Sequence, residues 1–98
     1  MNQTLEDFFN HLVETEKEHG NFQPRAIFHQ LSNMEKNKDL ILDFYQYLFS
    51  HDIIRYGIDF NNYEPFTTFT KFGRSLIENK ARRTAMFEEF LNIHEYAQ

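Results

Sequence analysis

Over the first twenty positions apolar residues return at helical intervals. Leu5, Phe8, Phe9, Leu12 and Val13 share one face, with acidic and polar residues between them. Thr4 ahead of Glu6 and Asp7 predicts a capped, acid-rich first turn, and Gly20 predicts the stop. Pro24 suits the first turn of a second helix carrying Ile27, Phe28 and Leu31. After the connector Lys36-Asn37-Lys38, a third helix is expected over about 37–49. It turns Leu40, Ile41, Phe44, Tyr47 and Leu48 inward and Asp39, Asp43 and Gln46 outward.

Beyond His51-Asp52 the period drops to two. Ile54, Tyr56, Ile58 and Phe60 alternate with Arg55, Gly57 and Asp59, the pattern of a half-buried strand. Asn61-Asn62 supplies a turn that tolerates positive φ, and 63–69 returns as a second strand that Pro65 places at an edge. Thr70 then caps a helix expected to present Phe72, Leu76 and Ile77 to the core, with Gly73 allowing close approach. The polar stretch 78–85 either continues that helix or breaks it at Thr84. Met86, Phe87, Phe90, Leu91 and His94 form a last stripe that needs a covering surface, in the same chain or in a second one. The expected class is mainly α with a small antiparallel β-hairpin (α+β), helices at both termini, in a single domain over 1–98.

The 98 residues leave no room for a second core. Apolar residues make up 41% of the chain, with 12 Phe and 5 Tyr, which favours a folded globule over a disordered tail. A domain this small is marginally stable, so self-association is a natural source of further burial. The chain has no cysteine, which removes disulfides, thiolate metal sites and a cysteine nucleophile. The N-terminus lacks a signal-like apolar stretch and no run approaches membrane-spanning length, so a cytoplasmic protein without a membrane role is expected.

Two stretches carry a family resemblance. "YLFSHDIIRYG" is similar to the end of the third helix and first wing strand of winged helix-turn-helix proteins. "FTTFTKFGRSLIE" resembles the place where their second wing strand gives way to a helix. The likeness covers 26–80, and it implies a winged-helix-like fold and, as one function, double-stranded DNA binding. Residues that the resemblance and the charge pattern offer to a duplex are Lys36, Lys38, Arg55, Lys71, Arg74, Arg82 and Arg83. The segment 71–83 holds five bases against one acid in a chain of net charge −5. The sequence departs from a DNA-binding pattern elsewhere: Asp39 and Asp43 follow Lys38 on the third helix, and Asp59 and Glu64 flank the wing tip, where phosphates would be repelled.

Chemistry is sparse. His11 lies at helical spacing from Asp7 and Glu14, as His19 does from Glu16, but no other helix repeats such pairs, so a solvated acidic face is the simpler reading. His29 and His51 have no neighbouring base or nucleophile. Gly20, Gly57 and Gly73 stand alone, without a phosphate loop, and no serine sits in a nucleophile elbow. The expectation is a protein that is not an enzyme and takes no cofactor. It acts by protein–protein interaction as an adaptor, antagonist or inhibitor, with a DNA-binding regulator as the alternative. Tyr45, Tyr47, Tyr56, Tyr63 and Phe66 are the residue types that carry interface energy. The terminal stripes, Leu5, Phe8, Phe9 and Leu12 with Phe87, Phe90 and Leu91, are expected to meet across a homodimer.

Overall fold

The computed structural model describes residues 3–21, 38–61 and 64–97. The helix expected after Pro24 lies outside them, as do Lys36 and Tyr63. The described elements are α1 (Gln3–His19), α2 (Lys38–Ser50), β1 (Ile54–Asp59), β2 (Glu64–Phe69), α3 (Lys71–Glu78) and α4 (Lys80–Ala97). The arrangement is mainly helical with one antiparallel hairpin and a helix towards each end, as the periodicities predict. No helix among the described residues is long and apolar enough to cross a membrane.

Helix α1 already includes Gln3, so Thr4 lies within it rather than capping it. Gly20 ends it as expected, at φ 79°, with its N–H donating to the Glu16 carbonyl at 2.7 Å. Between α2 and β1 the chain reverses at Asp52, which adopts φ 62°, a left-handed conformation that Asp tolerates better than most residues. Strand pairing runs from Ile54↔Phe69 through Gly57↔Phe66 to Asp59↔Glu64. Asp59↔Glu64 is the last pair before the connection, and Asn62 of the expected turn lies outside the described residues. Thr70 caps α3 as expected: its side-chain oxygen accepts the Gly73 N–H at 2.9 Å.

Helices α3 and α4 are separate, and the break falls at Asn79 rather than Thr84. Asn79 Oδ1 accepts the Arg82 N–H at 3.1 Å, and Arg83 Nη1 donates to the Ile77 carbonyl at 2.9 Å. One polar side chain starts the new helix and a cation satisfies a terminal carbonyl of the old one.

The core is aromatic. Phe9 meets Phe87 edge-on at 5.7 Å and Phe69 at 5.5 Å, while Phe44 contacts Phe8 at 6.1 Å and Phe90 at 5.0 Å between ring centroids. Leu5, Phe8, Phe9, Leu12, Phe87 and Phe90 are all buried, and Leu91 packs against them half-buried. The stripes expected to meet across a dimer thus meet within one chain. An 18-residue C-terminal helix long enough to fold back over α1 and α2 supplies the cover that periodicity alone leaves unassigned.

Two other faces depart from expectation. Phe72 does not close over α2; it is 51% exposed, and Gly73 takes the inward position. A Cβ on Gly73 would run into the Ile53 carbonyl oxygen, so α3 crosses the α2–β1 junction too closely for any side chain there. Among the described side chains of β1, Ile54 alone is buried. Tyr56, Ile58 and Phe60, at 56, 51 and 85% exposure, stand beyond the reach of the helices.

Glu16 fastens α1 to the hairpin. Its side chain is only 10% exposed; Oε2 accepts the Phe69 N–H at 2.7 Å, and Oε1 lies 2.7 Å from Arg74 Nη1. This is not the solvated acid that the spacing to His19 suggests.

Candidate functional site

A groove of about 290 Å³ runs between the C-terminal half of α2, the start of α3 and the first turns of α4. Its floor is apolar, made by Ile53, Leu76 and Met86, all buried; Phe72 forms one rim, and Arg82 and Glu89 line the other. The arrangement follows from α3: with Gly73 turned inward, the neighbouring Phe72 is forced to the surface at the mouth of the groove.

Tyr47 lies at the junction of this groove with a second depression of about 330 Å³, lined by Asp43, Gln46, Phe90, Ile93 and His94. The Tyr47 ring sits 4.0 Å from that of His51, and its hydroxyl donates to Glu89 Oε2 at 3.2 Å. Burial pushes the Tyr47 phenol up to about 12, and the Glu89 carboxylate adds to the effect both by its charge and by accepting the proton's hydrogen bond. His94 Nδ1 stands 3.0 Å from Asp43 Oδ2 and fixes the far end of the second depression. The groove has apolar depth and one charge of each sign. Among the described residues no group of three or more His, Asp or Glu comes together as a metal site.

The residues chosen from sequence for partner contact fare unevenly. Tyr47 lines the groove while remaining mostly buried. Tyr45 is buried on the opposite side of α2, 6.1 Å from Phe8 and 5.1 Å from Phe49 between ring centroids. Burial raises its phenol pKa, and the neighbouring Thr67 side chain works the other way. Phe66 is half-buried, its ring lying over Gly57 so closely that a Cβ there would be 2.7 Å from Cζ. The periodicity turns Phe72 to the core, whereas the structure leaves it half-exposed. The signal that relocates it is Gly73, since a glycine that must face a neighbouring backbone rotates its helix neighbours outward.

The cations offered to a duplex are dispersed. Arg74 is committed to Glu16 and Arg83 to the Ile77 carbonyl. Lys38, Arg55, Lys71 and Arg82 are exposed, on α2, β1, α3 and α4 respectively. The outward residues of α2 are Lys38, Asp39, Leu42, Asp43, Gln46 and Ser50, a set with no net positive charge. Comparison with known proteins finds no family model, no curated protein and no solved structure that this chain matches.

Proposed function

We propose that this chain is a small, non-enzymatic binding protein of winged-helix type that acts on another protein, and that the groove between α2, α3 and α4 receives the partner. The observation that carries this reading is Phe72: a large aromatic half-exposed at the mouth of an apolar-floored groove, with Arg82 and Glu89 opposite. Aromatic residues beside a desolvated pocket are where binding energy concentrates. The groove suits an apolar side chain from the partner, with Arg82 and Glu89 reading polar groups on either side. The order of helix, hairpin and helix, with Thr70 capping the helix after the second strand, supports the winged-helix assignment.

The duplex-binding alternative has less support, because two of its seven cations are engaged inside the chain and the outward face of α2 carries acids. A photo-reactive phenylalanine analogue at position 72, with Asn10 as the control position, tests both. The expected result is a discrete, nuclease-resistant crosslink in cells from position 72 that is absent from position 10. Equal crosslinking from both positions, or products that nuclease removes, would overturn the proposal.

A further inference from the structure

The two edges of the hairpin are not equivalent. The Thr70 N–H donates to the Ile53 carbonyl at 3.0 Å, one step beyond the Ile54↔Phe69 pair. Antiparallel ladders alternate, so the hydrogen-bonded pairs are Arg55↔Thr68, Gly57↔Phe66 and Asp59↔Glu64. The backbone groups of Ile54, Tyr56 and Ile58 therefore point away from β2, and those of Pro65, Thr67 and Phe69 point away from β1. On the β2 edge the Phe69 N–H is taken by Glu16, and proline at position 65 has no N–H to offer. Two of the three outward positions on that edge therefore offer no free N–H to a further strand, which leaves Thr67 between them. On the β1 edge nothing comparable stands: among the described residues the sheet has two strands, and no other strand covers β1.

We propose that β1 pairs antiparallel with β1 of a second copy of this chain, about a twofold axis at Gly57, to make a four-stranded sheet. Charge selects both the occupant and the register. Outward backbone groups at even positions allow twofold pairings centred on 56, 57 or 58. Centring on Tyr56 sets Arg55 opposite glycine, and centring on Ile58 sets it opposite Asn61. Only centring on Gly57 brings Arg55 opposite Asp59 of the second copy, and by symmetry it does so twice.

These fall at non-hydrogen-bonded positions, where side chains approach most closely, while Tyr56 pairs with Ile58 of the second copy through backbone hydrogen bonds. The two half-exposed apolar residues that the helices leave uncovered become cross-strand neighbours in a patch of four. At the axis two glycines meet, so no β1 side chain stands between the strands there. This surface is separate from the groove and adds to the reading given above.

Edge pairing of two short strands buries little area, so association in the range of about ten to a few hundred micromolar is expected. Sedimentation equilibrium on the wild-type chain should show a monomer–dimer equilibrium. Arg55→Asp and Asp59→Arg should each weaken it by about tenfold or more, since each replaces two attractive pairs by two repulsive ones. The double variant should recover it. Amide exchange supplies a second readout on unaltered protein: protection at Tyr56 and Ile58 should rise with concentration, while Arg55 and Gly57, bonded to β2, should not change. A wild-type chain monomeric at about 1 mM would overturn the proposal. So would a dimer indifferent to the single swaps, failure of the double swap to restore association, or protection at 56 and 58 that ignores concentration.

Discussion

Replacing Glu16 by leucine tests the most specific long-range link in the structure. Its carboxylate receives a backbone N–H from a residue 53 positions away, in a site where the Phe69 amide is buried, and also holds Arg74. Leucine matches the size of the side chain and keeps its apolar part buried, but it leaves the Phe69 N–H without its carboxylate acceptor. A buried amide stripped of a charged partner costs about 1.5–3 kcal/mol. The Arg74 side chain is 54% exposed and returns to water, which adds no more than about 0.5–1 kcal/mol. The expected loss is therefore about 2–4 kcal/mol, against about 0.5–1 kcal/mol for Arg74→Ala. For a domain this size, with a urea m-value of about 1–1.5 kcal/mol/M, Glu16→Leu should lower the midpoint by about 1.3–4 M. Glu16→Gln, which keeps an acceptor oxygen, should lie between the two. Urea melts by circular dichroism measure all three, and exchange of the Phe69 amide should accelerate selectively in Glu16→Leu. If Arg74→Ala costs as much as Glu16→Leu, the ion pair is the main link and the reasoning from the buried amide is wrong.

Gly73→Ala should destabilise by about 2–4 kcal/mol, because the new methyl meets the Ile53 carbonyl; helix propensity alone predicts a gain of about 1 kcal/mol, so the sign of a thermal-melt shift separates the two arguments. Phe87→Ala, at a fully buried ring, should cost about 3–5 kcal/mol, while Phe72→Ala should cost about 1 kcal/mol or less; equal losses in urea melts would place Phe72 in the core after all. Tyr47 makes stability fall at high pH. Its phenol is held up at about 12 against about 10 in an unfolded chain, so between these values the unfolded state binds fewer protons and unfolding becomes easier as pH rises. The full slope of about 1.4 kcal/mol per pH unit is reduced by roughly half for a hydroxyl at a groove that meets solvent. Stability measured from pH 9 to 12 should lose this component in Tyr47→Phe, and an unchanged profile would contradict the assignment.

Local signals marked several features correctly. Gly20 as a stop and Thr70 as a cap depend on residues within a few positions of one another, where conformational preference acts directly, and the antiparallel pairing of 54–59 with 64–69 joins segments adjacent in the chain. The inward faces of α1 and α2 were legible too, because a continuous stripe such as Leu5, Phe8, Phe9 and Leu12 has to be covered by something. What covers it was not legible. Periodicity identifies a face and leaves its partner open, so α4 folding back over Phe9 and Phe44 is a fact of tertiary structure, as is the exposure of Tyr56, Ile58 and Phe60, which alternate like residues of a buried strand.

The candidate groove lay further from reach. It depends on the rotation of α3, which follows from one backbone contact between Gly73 and Ile53, twenty positions apart in the chain. Glu16 shows the same limit: its spacing reads as an acid on a wet helix face, and only the arrival of β2 and α3 beside it makes it a buried acceptor. The amino-acid order determined which segments would be helix or strand and which faces would be apolar, because those depend on neighbours along the chain. The choice of which apolar residues remain outside, and which charge goes inside, fell to packing, because it depends on distances that close only when distant segments meet.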